Sequence, residues 1–346
     1  VPAPWQGILS RTLAVDLPHL HPGANMKAVV FDRTLEVVDA PRPVFTGDES
    51  LVRLIQAGIC NTDLEITRGY FGFKGVLGHE FVGRVESSRT SSLVGARVVG
   101  EINAACCRCE FCRSGRGRHC PQRSVLGILN RDGAFREHFT LPEQNLHPVP
   151  DSVSDDDAVF VEPVAAACEI LDQVDIQRVE KIAVLGDGKL GLLIAMVLAQ
   201  ARRATYPPLT LIGKHPEKMR LVEDLGVSTL HLGSTQAAAR SFQLVVEATG
   251  SPSGLDLALR LLEPRGTVVL KSTFHGRQSF DPASVVVDEL TLLGSRCGRF
   301  EPALDLLVRK RIRPSRLIRD SLPLTQAVEA FRLAQSPGVL KVLLHP

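Results

Sequence analysis

The sequence predicts two domains: a β-rich one, then an α/β one built on a parallel sheet. Between 26 and about 160, short apolar runs are separated by Gly, Pro, Asn and Asp, the pattern of many short strands. After 160, short β-branched runs alternate with helix-length stretches, the pattern of βαβ units. A glycine loop, Gly186-Asp187-Gly188-Lys189-Leu190-Gly191, falls where the first such run meets the first helical stretch. A chain of 346 residues is long enough for two cores.

The elements follow in order. Lys27-Ala28-Val29-Val30-Phe31, Ser50-Leu51-Val52-Arg53-Leu54 and Gly95-Ala96-Arg97-Val98-Val99 read as strands of the first domain, with one helical turn over 61–68. In the second, Ile182-Ala183-Val184-Leu185 is followed by a helical stretch at 189–201, and Leu209-Thr210-Leu211-Ile212 by one at 215–225. Gln243-Leu244-Val245-Val246-Glu247 and Gly266-Thr267-Val268-Val269-Leu270 flank a helical run at 254–262. Helical segments at 301–311 and 325–335 and a last strand at 339–344 complete the chain. Residues 1–25 read apart from the rest, as a transit-peptide remnant or a disordered extension.

Composition excludes several classes of function. With 44% apolar and 23% charged residues the balance is globular. A net charge of +2 without a long run of one sign argues against nucleic acid and membrane surfaces as partners. There is no apolar run of about 18 residues to span a bilayer. Eight cysteines in this length is below disulfide-scaffold density. Cys168 and Cys297 read as small core residues. Thiolates that hold metal need a reducing compartment, hence the cytoplasm, or a plastid or mitochondrion if the first 25 residues are a transit remnant.

Cys106, Cys109, Cys112 and Cys120 have the spacing C-x2-C-x2-C-x7-C, which closes a tetrahedral shell around one structural zinc. Cys107 is a fifth thiol outside that spacing. A second donor set is mixed: Cys60 in Gly58-Ile59-Cys60-Asn61-Thr62-Asp63, and His79-Glu80 in Gly78-His79-Glu80-Phe81-Val82-Gly83. Thiolate, imidazole and carboxylate suit zinc with an exchangeable position.

The glycine loop follows a strand and opens a helix, the context in which G-x-G-x-x-G cradles a pyrophosphate. The acid that grips a ribose 2′-hydroxyl should close the second strand. Gly213 and Lys214 stand there instead, which leaves room and a cation for a 2′-phosphate.

Taken together these residues resemble the zinc-dependent medium-chain dehydrogenases, the family of alcohol, sorbitol and threonine dehydrogenases. The resemblance covers about 26–346. It rests on the two metal motifs, the cysteine lobe, Asp132-Gly133-Ala134-Phe135, Glu162-Pro163, the glycine loop, Glu247-Ala248-Thr249-Gly250 and Gly294-Ser295. Glu162-Pro163 stands where classical alcohol dehydrogenases carry a cysteine ligand, so the polyol and threonine branch is the nearer one.

The resemblance implies a GroES-like catalytic domain at 26–160 and 300–346 around a Rossmann domain, a doubly wound parallel sheet, at 161–299. It implies two zinc ions per chain. Cys60, His79 and Glu162 would hold the catalytic one, with Glu80 a ligand or just behind it. Thr62 would pass the substrate proton toward solvent. Three residues on, relatives often carry a histidine, whereas this chain has Glu65. Gly186, Gly188, Leu190, Gly191, Gly213 and Lys214 would bind the cofactor, NADP in preference to NAD. Thr249 and Arg296 lie at strand ends that could contact it, although Arg296 equally suits a structural ion pair. The implied activity is hydride transfer between a small secondary alcohol or polyol, or its carbonyl, and NAD(P), in a homodimer or homotetramer. The rival readings are a zinc-free quinone or enoyl reductase of the same superfamily and a non-catalytic zinc- and nucleotide-binding protein. Tyr70, Phe71 and Phe73 line the pocket or belong to the core; the substrate itself is not legible.

Overall fold

The computed structural model describes residues 25–202, 209–234, 239–273 and 280–346. The first part of the chain forms a mixed sheet with strand order Leu146–Pro148, Arg97–Gly100, Glu80–Ser87, Ser50–Gly58, Lys341–His345, Ile318–Pro323, and His138–Leu141 pairs with Ser50–Gly58. A smaller sheet sets Asn25–Phe31 between Leu35–Pro41 and Gly75–Val76. The C-terminal strand Lys341–His345 runs antiparallel to Ser50–Gly58, so the end of the chain completes the first sheet. Phe81, Phe135, Phe139 and Leu141 fill the core beneath it.

The second part is a parallel sheet of six strands among the described residues. Their order is Ser228–His231, Thr210–Gly213, Ile182–Leu185, Phe242–Glu247, Leu262–Leu270, Thr291–Gly294. That order reverses direction at Ile182–Leu185, as in a doubly wound sheet, and ligands bind at such a switch point beyond the strand C-termini. Ile182, Ala183, Val184 and Leu185 are all buried because helices cover both faces. Lys189–Ala201 and Val161–Gln173 share one core, and Gly254–Leu261 packs in another with Leu255 and Leu259.

Most expected elements are present, with shifted ends. The 61–68 turn is Asn61–Ile66, and the 254–262 run is Gly254–Leu261. The stretch at 215–225 divides into an α-helix, Pro216–Met219, and a 3-10 helix, Arg220–Leu225. The helix Val161–Gln173 and the strands Ser228–His231 and Ile318–Pro323 have no counterpart in the sequence reading. Residues 1–24 lie outside the described residues, and with them nearly all of the leader. No helix of the described residues is long and apolar enough to cross a membrane.

Candidate active site

Cys60 caps the helix Asn61–Ile66, and Thr62 and Asp63 lie in its first turn. His79 and Glu80 stand at the start of the neighbouring strand Glu80–Ser87. This brings donor atoms of Cys60, His79 and Glu80 within 4.8 Å of one another. The Thr62 hydroxyl lies 3.7 Å from Cys60 Sγ.

Asp63 organises this corner, a role the sequence reading did not give it. Its buried carboxylate accepts hydrogen bonds from Cys60 N at 2.8 Å and Gly78 N at 3.2 Å. It also lies 3.3 Å from His79 Nδ1. A carboxylate behind a metal-binding histidine fixes the ring and raises its basicity. Burial opposes a charge on His79, but Asp63 and Cys60 outweigh it and raise its pKa well above the ordinary value.

Glu80 is not free. Its carboxylate forms an ion pair with Lys341 of the C-terminal strand, and both side chains are 1% exposed. The Lys341 ammonium also lies 3.4 Å from the Ile59 carbonyl and 5.3 Å from the centre of the Phe160 ring. Glu162, in the first turn of Val161–Gln173, is not within the same donor cluster. Burial pushes its carboxyl up to about 7, against the pull of the His79 charge nearby. Glu65 is paired with Arg68 at 2.7 Å. Phe71 is 67% exposed and stacks on Tyr70, whereas Phe73 packs against the core.

The lobe gathers Cys106, Cys109, Cys112 and Cys120, whose sulfurs lie within 4.8 Å of one another. Three of the separations are 3.4, 3.7 and 3.9 Å, and none of the pairs is a disulfide. A tetrahedron of thiolates with bonds of about 2.3 Å has edges of about 3.8 Å, so the donor set fits zinc. The Arg108 N–H above all brings the Cys106 thiol down to about 6, while burial and the adjoining thiols push Cys112 up to about 12. Four such groups ionise together only around a cation. Cys107 is turned away, with its sulfur 2.9 Å from Gln144 Nε2.

The glycine loop joins Ile182–Leu185 to the helix Lys189–Ala201. A Cβ on Gly191 would lie 1.9 Å from the Gly186 carbonyl, so only glycine permits this turn. Gly188 caps the helix with nothing within 4 Å of its Cβ position, and Leu190 in the first turn packs on the core. The helix N-terminus is thus open to an anion. Asp187 reaches the end of the second strand, where its Oδ2 accepts from Lys214 N at 2.7 Å and His215 N at 2.6 Å. The His215 ring is 3.0 Å away. Burial works against the Asp187 charge, but those contacts hold it below the usual carboxylate range. A Cβ on Gly213 would meet Asp187 at 2.6 Å, so the glycine at the strand end makes room for this carboxylate. Thr249 and Arg296 both have protein partners. The Thr249 hydroxyl donates to Glu247 at 2.5 Å, and Arg296 donates to Asn103 Oδ1 and the Arg118 carbonyl.

The chain is similar to several known proteins. Residues 46–151 match the alcohol dehydrogenase GroES-like domain and residues 191–309 the zinc-binding dehydrogenase domain. An L-threonine 3-dehydrogenase of Saccharopolyspora erythraea is 30% identical over 330 residues, 90% of this chain and 95% of that protein. A crystal structure of an Escherichia coli CFT073 alcohol dehydrogenase with NADH superposes with a TM-score of 0.84 at 25% identity, over 94% of this chain and 100% of that one. A Sinorhizobium meliloti 1021 structure assigned as a zinc-binding dehydrogenase, with NADP bound, gives 0.84 at 27% identity over 94% and 100%. The chain belongs to the zinc-dependent medium-chain dehydrogenase family. It is an alcohol-dehydrogenase-like oxidoreductase that uses zinc and a nicotinamide cofactor.

Proposed function

We propose that this enzyme oxidises a secondary alcohol or polyol, or reduces the matching carbonyl, beside a zinc held by Cys60 and His79 with Glu162 or Glu80 as the acidic ligand. The observation that carries this reading is the convergence of Cys60, His79 and Glu80 donors within 4.8 Å. A zinc-free reductase has no use for that set or for the four-cysteine lobe. Bound there, zinc would polarise the substrate oxygen and ease loss of its proton. The Thr62 hydroxyl takes that proton. Because Glu65 is tied to Arg68, the proton continues directly to water rather than through Glu65. Asp63 holds the His79 ring, and Lys341 pairs with Glu80. A second zinc in the 106–120 lobe is structural. The domains divide at 26–160 with 300–346, and 161–299. A screen of secondary alcohols and polyols with both nicotinamide cofactors tests the reading, and no turnover with any of them would count against it.

Glu162→Gln separates the acidic candidates. A neutral amide is a poor ligand, so metal affinity or kcat/KM should fall by about 10- to 100-fold. Unchanged zinc content and kinetics would leave Glu80 as the acidic ligand.

The cofactor preferred is NADP. Lys214 is exposed at the strand end, and His215 stands beside it. Asp187 is no substitute for a strand-end acid, because two backbone N–H groups and His215 already fill its acceptor positions. A Gly213→Asp change cannot test this, since its Cβ would collide with Asp187. The double variant Lys214→Ala with His215→Ala can. It should lower kcat/KM for NADP about tenfold or more and leave that for NAD nearly unchanged. A wild type that favours NAD would refute the preference.

The enzyme forms a homodimer or homotetramer. Among the described residues Thr291–Gly294 is an edge of the parallel sheet, and Val286 and Val287 before it are 75% and 79% exposed. An unpaired edge beside exposed valines favours a second copy, and sedimentation velocity reads the resulting mass directly; a monomer would exclude it.

A further inference from the structure

Lys189 is the first residue of the helix that the glycine loop opens, one position after Gly188. Its side chain leaves the parallel-sheet part of the molecule altogether. The ammonium donates to the Ile59 carbonyl at 3.1 Å, 130 residues away in sequence. Ile59 is fully buried and is followed directly by Cys60. The same carbonyl lies 3.4 Å from the Lys341 ammonium, which pairs with Glu80. Two lysines from distant parts of the chain therefore meet at the peptide that carries the first metal ligand. Both face the charges of Cys60, Glu80 and Asp63.

Holding a lysine to one carbonyl costs rotamer freedom and hydration of the ammonium. A glycine loop has no need of such a side chain to cradle a pyrophosphate, because its backbone N–H groups do that. What the side chain adds is a mechanical and electrostatic tie between the cofactor loop and the Ile59–Cys60 segment. We propose that Lys189 is a positioning residue that couples cofactor binding to the metal centre through Ile59. A dinucleotide placing its pyrophosphate at the helix N-terminus sets two negative charges beside the root of this side chain. The pull on the ammonium is then felt at the peptide preceding Cys60. By linkage, metal at Cys60 must alter cofactor affinity by the same factor as cofactor alters metal affinity.

This inference rests on the metal reading given above, and the test separates the two. NADPH affinity is measured by its own fluorescence on enzyme with both metals, and on enzyme briefly chelated so that only the lobe zinc remains. In the wild type the two dissociation constants should differ by about fivefold or more, within the usual range of coupling between sites. In Lys189→Met they should agree within about twofold, with lobe zinc and melting temperature retained. Lys189→Arg, which can still donate to the carbonyl, should recover part of the difference. An equal ratio in wild type and Lys189→Met overturns the coupling. So does a variant that weakens NADPH equally in both metal states, since that describes a pyrophosphate contact alone. If chelation removes no metal whose presence depends on Cys60, the metal reading fails first and the coupling falls with it.

Discussion

Cys60→Ala should abolish turnover, by about a thousandfold or more, and leave the fold intact. The magnitude follows from losing a Lewis acid worth several kcal/mol at the substrate oxygen, with about 4 kcal/mol equal to a thousandfold. The fold survives because Cys60 contributes to its corner mainly through its backbone. Its N–H is held by Asp63 at 2.8 Å, and that bond does not need the sulfur. Asp63 still accepts from Gly78 N, and Glu80 still pairs with Lys341. Steady-state kinetics, metal analysis and a thermal melt on one preparation check all of this. The variant should carry one zinc fewer and melt near the wild type. Full activity or wholesale unfolding would remove Cys60 from the metal site.

Cys109→Ser should behave in the opposite way. Cys109 Sγ lies 3.4 Å from Cys112 Sγ and 3.7 Å from Cys120 Sγ, so it sits at the middle of the thiol cluster. Besides the thiols, the lobe is tied to the rest of the chain at Arg118, which pairs with Glu169 at 2.7 Å and accepts from Arg296 through its carbonyl. Within 105–119 only short helical pieces form, Glu110–Arg113 and Gly117–His119, and no residue there is fully buried. A closed zinc site supplies folding free energy directly. A loss of about 3 kcal/mol lowers the melting temperature by roughly 6–12 °C in a domain of this size. The variant should melt in that range below wild type, or aggregate, with one zinc missing. A stable variant that keeps two zinc ions would show that 106–120 is not the clamp.

Much of this was legible in the sequence, because the signals are local. The glycine loop, the cysteine lobe and the Cys60 and His79 motifs each lie within a few residues of chain. The buried parallel strands announce themselves as β-branched runs. The helix Val161–Gln173 was hidden for a physical reason. Pro163 reads as a breaker, yet it stands in the first turn, where its missing N–H costs no helical bond. Val161, Val164, Ala165, Ala167, Cys168 and Ile170 are buried on several sides of that helix, so no clean amphipathic stripe appears.

The partners that hold the site in place could not be read by spacing. Glu80 and Lys341 are 261 residues apart, and Asp187 meets His215 across 28. The one available clue to Lys341 was a cation heading the apolar strand Lys341-Val342-Leu343-Leu344, where it is 1% exposed. Asp187 and Lys189 were visible inside the glycine motif, but the motif accounts only for its glycines. Asp63 was visible beside Thr62, but its contacts to Cys60, Gly78 and His79 exist only once strand and helix meet. Glu162 is singled out only by the resemblance, and its carboxylate is not among the donors that gather at Cys60 and His79.

One chain is expected to hold two metal sites, one open and one closed. Zinc per chain, counted by mass spectrometry on the purified wild-type enzyme after dialysis against metal-free buffer, tests it most directly. Two zinc ions per chain are predicted, one in the 106–120 lobe and one at Cys60 and His79. A count of one, unchanged in Cys60→Ala, would contradict the account.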